Sequence, residues 1–294
     1  MSALNTSPRV IRSKGRWRGL MGDRPPLFFM GVLVVLVIVA ILAPWLTPYG
    51  PNEFVLTSRM LPPAFMEGGT LAHPLGTDTL GRDILTLLVY GSRVSLIVGL
   101  VAVLVGASVG LIIGIITGYY GGVIDNIVMR ISDVQLAFPF ILLAIILMAV
   151  LGAGIWNVIL VLSLRSWVSY ARVVRGEVMV AREKEFIQAA SAMGASPGRI
   201  HFRHLLPNVM ASVIVIASFS VAQTIIAEAS LSFLGLGVDP STPTWGSLIS
   251  AGKDHLTNAW WISAFPGLAI AITVLSVNMI GDWLRDRLDP RSSA

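Results

Sequence analysis

The chain has 294 residues, of which 55% are hydrophobic and 13% are charged, about half the charged fraction of roughly 25% in soluble domains. This composition excludes an intrinsically disordered protein and disfavours a soluble enzyme. The lack of cysteine excludes a disulfide framework, a thiolate nucleophile and cysteine-ligated metal or iron–sulfur sites, and we assign the net charge of +5 to the cytoplasmic side of a membrane protein rather than to a nucleic-acid surface.

Six blocks of the sequence are long and apolar enough to cross a membrane, which requires about 20 residues. They cover 27–46, 94–117, 134–151, 155–173, 208–227 and 260–280. The fourth block is interrupted by Arg165, and a charge at mid-helix costs about 2.5–3.5 kcal/mol on insertion scales. We therefore expect Arg165 to face water or to lie near the cytoplasmic end. The blocks predict an all-α integral membrane protein with six transmembrane helices.

The first block follows a segment, 1–26, that carries six Lys and Arg residues against one acid. Its apolar stretch is longer than the roughly 7–15 residues of a signal peptide, and no A-x-A cleavage site follows it. We interpret 27–46 as an uncleaved anchor helix.

The distribution of basic residues predicts the orientation of the chain. The segment 1–26 and the tail 283–294 are expected in the cytoplasm, and 47–93 is expected to form an extracytoplasmic loop. The remaining five helices fall in a transmembrane domain at 94–282, with a basic cytoplasmic segment inside it at about 177–207. Both termini are therefore predicted to be cytoplasmic.

The loop at 47–93 contains Asp78 and Asp83 on either side of Arg82, a pattern that favours helix capping or an ion pair over catalysis by paired carboxylates. The second span carries small residues at every fourth position. These are Ala102, Gly106, Gly110, Gly114 and Gly118. Small residues let transmembrane helices approach closely, so this stripe predicts a helix contact, either within the chain or with another subunit.

The segment 177–207, which we call the coupling loop, has the pattern of a cytoplasmic helix–turn–helix between two spans. Gly194 is placed to end the first helix, and Ser196 with Pro197 is placed to begin the second. The spans contain almost no acidic residue of the kind that ion-driven carriers use, and the chain has no G-x-x-x-x-G-K-[ST] phosphate loop. If ATP drives this protein, another chain must hydrolyse it and dock on this segment. An ordinary amphipathic surface helix pair is the alternative.

The letters QAASAMG and RHLLP in the coupling loop resemble the EAA loop of type I ABC importer permeases. The matching positions are Ala189, Ala190, Gly194, Leu206 and Pro207, whereas Gln188 and His204 depart from the motif. The segments LGTDTLGRDILTLLVYGSRVSL (75–96), EASLSFLGLGVDPSTPTWGSLI (228–249) and GDWLRDRLDPR (281–291) resemble the peptide/nickel permease group. The chain is most similar to the C-type permease of dipeptide and oligopeptide importers.

This resemblance implies a type I ABC importer fold in a bacterial inner membrane. The chain would contact an ATPase through the coupling loop at Glu185, Gln188, Ala189, Ala190, Gly194, Leu206 and Pro207. It would have no catalytic residue, metal or cofactor of its own, since ATP and Mg belong to the partners. Those partners would be a homologous B-type permease, two ABC ATPase subunits and an extracytoplasmic binding protein. The cargo would be a di- or oligopeptide; nickel, glutathione or an opine is the alternative, and an ion-coupled carrier is a third possibility.

Three weaker patterns remain to be interpreted in the sequence. His201, Arg203 and His204 indicate a solvated basic face near anionic lipid rather than a metal or nucleic-acid site. The stretch 228–259 is rich in Gly and Pro and is expected to re-enter the membrane or to lie on it. Trp260 and Trp261 fit an interfacial aromatic belt.

Overall fold

The computed structural model describes residues 25–288, which are mostly helical apart from a long, largely irregular segment at 47–83. The eleven α-helices of this described part are α1 Leu27–Ile41, α2 Ala43–Leu46, α3 Ile84–Tyr120, α4 Gly122–Ala137, α5 Phe140–Leu151, α6 Ile155–Arg182, α7 Glu185–Ala192, α8 Pro197–Ile200, α9 Leu206–Phe233, α10 Trp245–Gly252 and α11 Trp261–Leu288. The basic segment 1–24 and the tail end 289–294, with their predicted cytoplasmic positions, lie outside the described residues.

Four helices of the described chain are long and apolar enough to span a membrane: α3, α6, α11 and the continuous rod Pro197–Phe233. A fifth span is possible if α4 and α5 count as one, although their axes are bent by 95°. The apolar helix α1 is shorter, at 15 residues, and the first predicted span, 27–46, is divided at Leu42. All-helical membrane architecture is confirmed, whereas six crossings stay a prediction.

The third predicted span, 134–151, is not one helix. It is broken at Phe138, whose backbone is extended, and at Pro139, which precedes α5. Proline disfavours helical geometry in the residue before it, so the chain turns at this point. Residues 122–137 form α4, although the hydropathy pattern places most of them in an inner loop.

The long helix α3 begins at Ile84, ten residues before the predicted span. Its N-cap is Asp83, whose carboxylate accepts from the backbone N–H of Thr86 at 2.8 Å, and Arg82 pairs with Asp78 at 2.7 Å. The capping and ion-pair interpretation of this motif is therefore correct. The mostly irregular segment that follows α2 ends where this cap begins.

The stripe of small residues on α3 packs along α6 within the same chain. A Cβ atom on Gly110 would lie 2.5 Å from the carbonyl oxygen of Trp167, and one on Gly114 would lie 2.7 Å from Cβ of Val174. Real Cβ atoms do not approach that closely, so the two backbones meet at a distance that only glycine permits. Close dispersion contacts along this seam join two long helices of the scaffold.

Two spans are longer than the sequence indicated. The helix α6 continues to Arg182 instead of ending near 173, and Arg165 lies in its middle, with the guanidinium 4.9 Å from the ring centre of Phe140, not near the cytoplasmic end. The helix α9 continues to Phe233, so Glu228 is inside the helix and fully buried rather than at a span end.

The helix α8 runs through the π-helical turn His201–Leu205 into α9 without a break. Pro207 lies just after this turn. Proline has no N–H to donate, and its ring crowds the carbonyl four residues earlier. The wider π-turn relieves this crowding, so Pro207 does not end the second helix at the membrane as predicted.

The opposite end of the bundle is closed by α10, which packs against α9 and α11. Trp245 is buried and its indole N–H donates to the carbonyl of Leu88 at 3.1 Å. Trp261 is only 3% exposed and donates to the carbonyl of Thr77 at 3.1 Å. Trp261 therefore does not belong to a lipid-facing aromatic belt, because its polar atom is used inside the fold.

Candidate functional site

The coupling loop starts on the last turns of α6 and bends at Glu183 and Lys184 before α7. The sequence predicted one helix from residue 177 to 193, but 177–182 belong to α6, and α7 has only eight residues. The bend directs α7 away from the α6 axis. The loop thus forms a short separate helix held between two long ones.

The turn after α7 has the geometry that the sequence predicted. Gly194 has a φ of +80°, its N–H donates to the carbonyl of Ser191, and the N–H of Ala195 donates to the carbonyl of Ala190, each at 3.0 Å. These are the two hydrogen bonds of a Schellman motif. Ser196 then caps α8 by accepting from the N–H of Arg199 at 3.4 Å. A Cβ added to Gly194 would have no atom within 4 Å, so backbone conformation, not space, requires glycine here.

One face of the coupling loop belongs to the hydrophobic core. Ile187 of α7, Ile200 of α8 and Leu205 of the π-turn are at most 3% exposed. They pack in one cluster with Val178 of α6 and Val209 of α9. Burial of this face places α7 in one packed cluster with side chains of both long helices.

The other face of the coupling loop is exposed and carries large apolar side chains among charged ones such as Glu185 and Arg203. Met193 is 82% exposed, Phe202 is 74% exposed and Phe186 is 46% exposed. Large apolar side chains grouped on a surface mark an interaction site. Sequence reasoning missed Phe202 because it lies between basic residues and outside the motif positions.

The predicted docking residues do not share one environment. Glu185, Gln188, Ala189, Gly194 and Pro207 are exposed, Leu206 is half-buried and Ala190 is buried. The side-chain amide of Gln188 donates to the carbonyl of Glu183 at 3.2 Å. Gln188 thus stabilises the bend before α7, and Ala190 acts through packing rather than through its surface.

The coupling loop is also tied to the C-terminal end of α3. Arg182 donates to the carbonyls of Gly118 and Tyr119 at 3.3 and 3.2 Å. The His201 ring makes edge contacts with the rings of Tyr119 and Tyr120, with centroids 4.6 and 5.7 Å apart. The solvated-face interpretation is wrong for His201, which packs against aromatic rings, and the described residues contain no cluster of metal ligands.

The helix α4 is held against α6 by polar contacts near the same end. Arg175 forms a two-pronged ion pair with Asp125, Arg172 pairs with Asp133, and the indole N–H of Trp167 donates to Gln135 at 3.0 Å. No sequence pattern indicates these pairs, since their members are 32 to 50 residues apart. They fix the orientation of the bent α4–α5 element relative to the scaffold.

Comparison with known protein families gives two matches. Residues 110–294 match the family described as binding-protein-dependent transport system inner membrane component. Residues 14–63 match the N-terminal TM domain of oligopeptide transport permease C. The first match contains the α6–α7–α9 unit with the whole coupling loop.

Individual relatives cover nearly the whole chain. The di/tripeptide transport system permease protein DppC of Pseudomonas aeruginosa is 38% identical, with 99% of this chain and 98% of the relative covered. The dipeptide permease DppC of Escherichia coli K12 is 43% identical over 94% of this chain and 92% of the relative. The glutathione permease GsiD of an Escherichia coli strain is 40% identical over 99% of this chain and 96% of the relative.

Among solved structures, the chain is similar to a chain of the MetNI methionine ABC transporter in inward-facing conformations. The TM-score is 0.56 at 21% identity, with 70% of this chain and 97% of that chain covered. At this identity the likeness concerns the fold alone, and it supports the helical arrangement of an ABC importer permease.

Proposed function

Because the chain belongs to the family of binding-protein-dependent transport system inner membrane components, we propose that it is the C-type permease of an ATP-driven importer of di- and oligopeptides. It lies in a bacterial inner membrane with its termini in the cytoplasm. Together with a homologous B-type permease it encloses the path of the peptide. An extracytoplasmic binding protein delivers the peptide, and two separate ATPase subunits, with ATP and Mg, supply the free energy.

The observation that carries this proposal is the two-sided coupling loop. Its inner face, with Ile187 and Leu205, is buried in the bundle, and its outer face presents Phe186 and Met193. The chain has no phosphate loop of its own. An apolar outer face on an element fixed to the long helices is what a separate ATPase needs in order to move them.

The geometry gives the coupling loop a mechanical role. When the ATPase pair closes on ATP, α7 is displaced, and its buried contacts carry α6 and α9 with it. The Arg182 bonds to the end of α3 keep the α3–α6 seam intact, so that the helices move as a body. Two arrangements of the pair of permeases then alternate, and ATP binding shifts the population between them.

The turn at Gly194 offers the sharpest test. In the assembled transporter, G194V places a β-branched residue at a φ of +80°, which costs about 1–2 kcal/mol and displaces the docking face. We expect peptide uptake to fall by roughly fivefold or more while ATP hydrolysis and membrane insertion persist. The matched control is G198V, because Gly198 lies in helical geometry and a Cβ added there would have no atom within 4 Å.

Unchanged uptake by G194V would argue against the coupling role. Accumulation of peptide by vesicles that contain this chain alone would argue against the whole proposal and in favour of an ion-coupled carrier.

Glutathione is a second candidate cargo, supported by the 40% identity to the glutathione permease GsiD. Nickel and opines are the further alternatives that the resemblance to the peptide/nickel group implies. Uptake competition with unlabelled dipeptide, tripeptide, glutathione, opine and nickel separates these cargoes, and we expect the short peptides to compete best.

A further inference from the structure

A cleft of about 970 Å³ opens between α6, α9 and α11 at the coupling-loop end of the bundle. Its walls are one face of α6 beyond Arg172, one face of the first half of α9, and the end of α11. The volume is at the upper end of the roughly 300–1,000 Å³ of small-molecule sites. A smaller cleft of about 310 Å³ lies at the opposite end of the bundle, where the turn between α9 and α10 meets Arg82.

Charges of both signs in this cleft lack ion-pair partners in the described part of the chain. Glu177 on α6, Lys184 after α6 and Arg285 on α11 all line it, and none forms an ion pair within residues 25–288. A fourth charge of the cleft lining, Arg172, is paired with Asp133 of α4. Lys184 and Arg285 are exposed and Glu177 is half-buried, so one cleft offers accessible charges of both signs to a ligand that carries both.

The remaining walls combine apolar surface with neutral polar groups. Phe219 contributes apolar surface, and Asn208 and Ser212 supply amide and hydroxyl groups. The amide nitrogen of Asn208 donates to the carbonyl of His204 at 2.7 Å, which leaves its oxygen directed to other donors. Such a mixture suits a short peptide, which has a polar backbone, variable side chains and one charge at each end.

We propose that this cleft binds the transported peptide on its way to the cytoplasm, with Glu177 binding the N-terminal ammonium and Arg285 and Lys184 binding the C-terminal carboxylate. The inference rests on the proposed function and adds the residues that recognise the cargo. An extended tripeptide spans roughly 10 Å, a length that a cavity of about 970 Å³ accommodates.

An anionic lipid headgroup would be drawn to Arg285 and Lys184 but repelled by Glu177. A zwitterion uses both signs, and the observations therefore favour the peptide. The two occupants predict opposite effects of a change at Glu177. Neutralising this carboxylate would weaken the binding of a peptide and strengthen the binding of a phosphate.

The experiment uses the assembled transporter with all its partner subunits, without nucleotide, and a tripeptide probe with p-benzoylphenylalanine between two alanines. We expect ultraviolet light to attach the probe to cleft residues such as Val180 and Phe219, as mapped by mass spectrometry, and trialanine to compete. E177Q and R285Q are each expected to lower labelling by about tenfold, the effect of losing one charge-assisted hydrogen bond. The control R130Q removes an exposed charge on α4 that does not line the cleft.

Blocked probes assign each charge to one end of the peptide. N-acetylation is expected to weaken labelling of the wild-type protein about tenfold but to have little effect on E177Q. C-terminal amidation is expected to weaken labelling of the wild-type protein more than that of R285Q, in which only Lys184 remains to bind the carboxylate. A structural role of either residue would not produce this pairing.

Three outcomes overturn the inference. They are equal labelling of all variants, labelling confined to a partner-permease segment seated in the cleft, and stronger labelling in E177Q with competition by phosphatidylglycerol. Failure of the proposed function is seen separately, as a lack of ATP-dependent trialanine uptake by the wild-type assembly.

Discussion

The end of the bundle closed by α10, which we call the outer end, and the coupling-loop end are made by the same long helices. The two ends are nevertheless packed in opposite ways. At the outer end, polar groups are buried and paired and backbones touch. At the coupling-loop end, a cleft is open, apolar side chains are exposed, and three charges of the cleft, Glu177, Lys184 and Arg285, have no ion-pair partner among residues 25–288. The difference separates a closely packed part from a part that leaves surface accessible.

Glu228 is the centre of the outer end. Its carboxyl group is fully buried and accepts from the hydroxyls of Ser232 at 2.7 Å and Ser95 at 3.1 Å. The Ser95 oxygen accepts in turn from the backbone N–H of Trp245 at 3.4 Å. One network therefore joins α3, α9 and α10, and a buried network of this kind has a single favourable arrangement.

At the coupling-loop end, by contrast, Met193 and Phe202 are mostly exposed, and the π-turn interrupts the regular ladder of the rod from α8 to α9. Exposed apolar groups are stable in a membrane protein only if a partner or lipid covers them. The two ends thus differ in packing: buried polar contacts concentrate at the α10 end, and accessible apolar surface concentrates at the coupling-loop end.

The largest expected effect is from added bulk at the outer end. A Cβ on Gly246 of α10 would lie 2.6 Å from Cα of Ala229. We expect G246A to lower the free energy of unfolding by about 3 kcal/mol, since overpacking typically costs about 1–3 kcal/mol. G198A in the coupling loop, where space is open, should be neutral. Thermal unfolding of the purified variants measures the change in stability of each. Equal losses of stability in G246A and G198A would contradict the contrast between the two ends.

The next effect concerns the Glu228 network. S95A removes a donor to Glu228 and the acceptor of the Trp245 N–H, and we expect a loss of about 2 kcal/mol. S230A is the matched control, because the Ser230 hydroxyl bonds only to the carbonyl of Ile226 in its own helix. If S95A unfolds like the wild type in denaturant titrations, the network does not hold the outer end.

A smaller effect is expected at the ion pairs between α4 and α6. D125A breaks the pair with Arg175, whose side chain is 29% exposed and can be hydrated again, so we expect a loss of about 1 kcal/mol. D133A is the comparison, since the Asp133 side chain is 61% exposed and surface pairs contribute about 0–1 kcal/mol. A double-mutant cycle with R175A and R172A measures each pair. A larger coupling for Asp133 would contradict this ranking.

The smallest effect belongs to the exposed turn between α9 and α10. Hydrogen bonds from the hydroxyl and the N–H of Ser241 lower the pKa of Asp239. A carboxylate with a lowered pKa stabilises the folded turn above its unfolded pKa, and this contribution is lost as the pH falls through the folded value. We expect hydrogen exchange in the turn, corrected for intrinsic rates, to increase on acidification and to lose this dependence in D239N. The same dependence in D239N would assign it to another group.

Much of the fold was predictable from local chemistry. The apolar blocks located the long helices, the repeat of Gly106 to Gly118 located a close helix contact, and Asp83, Gly194 and Ser196 marked helix ends correctly. The helix lengths were not predictable, because α3, α6 and α9 continue through polar residues that hydropathy assigns to loops. Proline is a residue type that kinks or begins helices, so Pro139 marks a change of direction, but no local pattern predicts that the bend there is 95°.

The sequence by itself determined the helical class, the local turn at Gly194 and the type of element that joins α6 to α9, since each depends on residues a few positions apart. The tertiary structure alone decided which helix receives the glycine stripe, which hydroxyls satisfy Glu228, and that Glu177 and Arg285 line one cleft. The free energies of these contacts depend on atoms brought together from distant positions, so no local pattern in the sequence contains them.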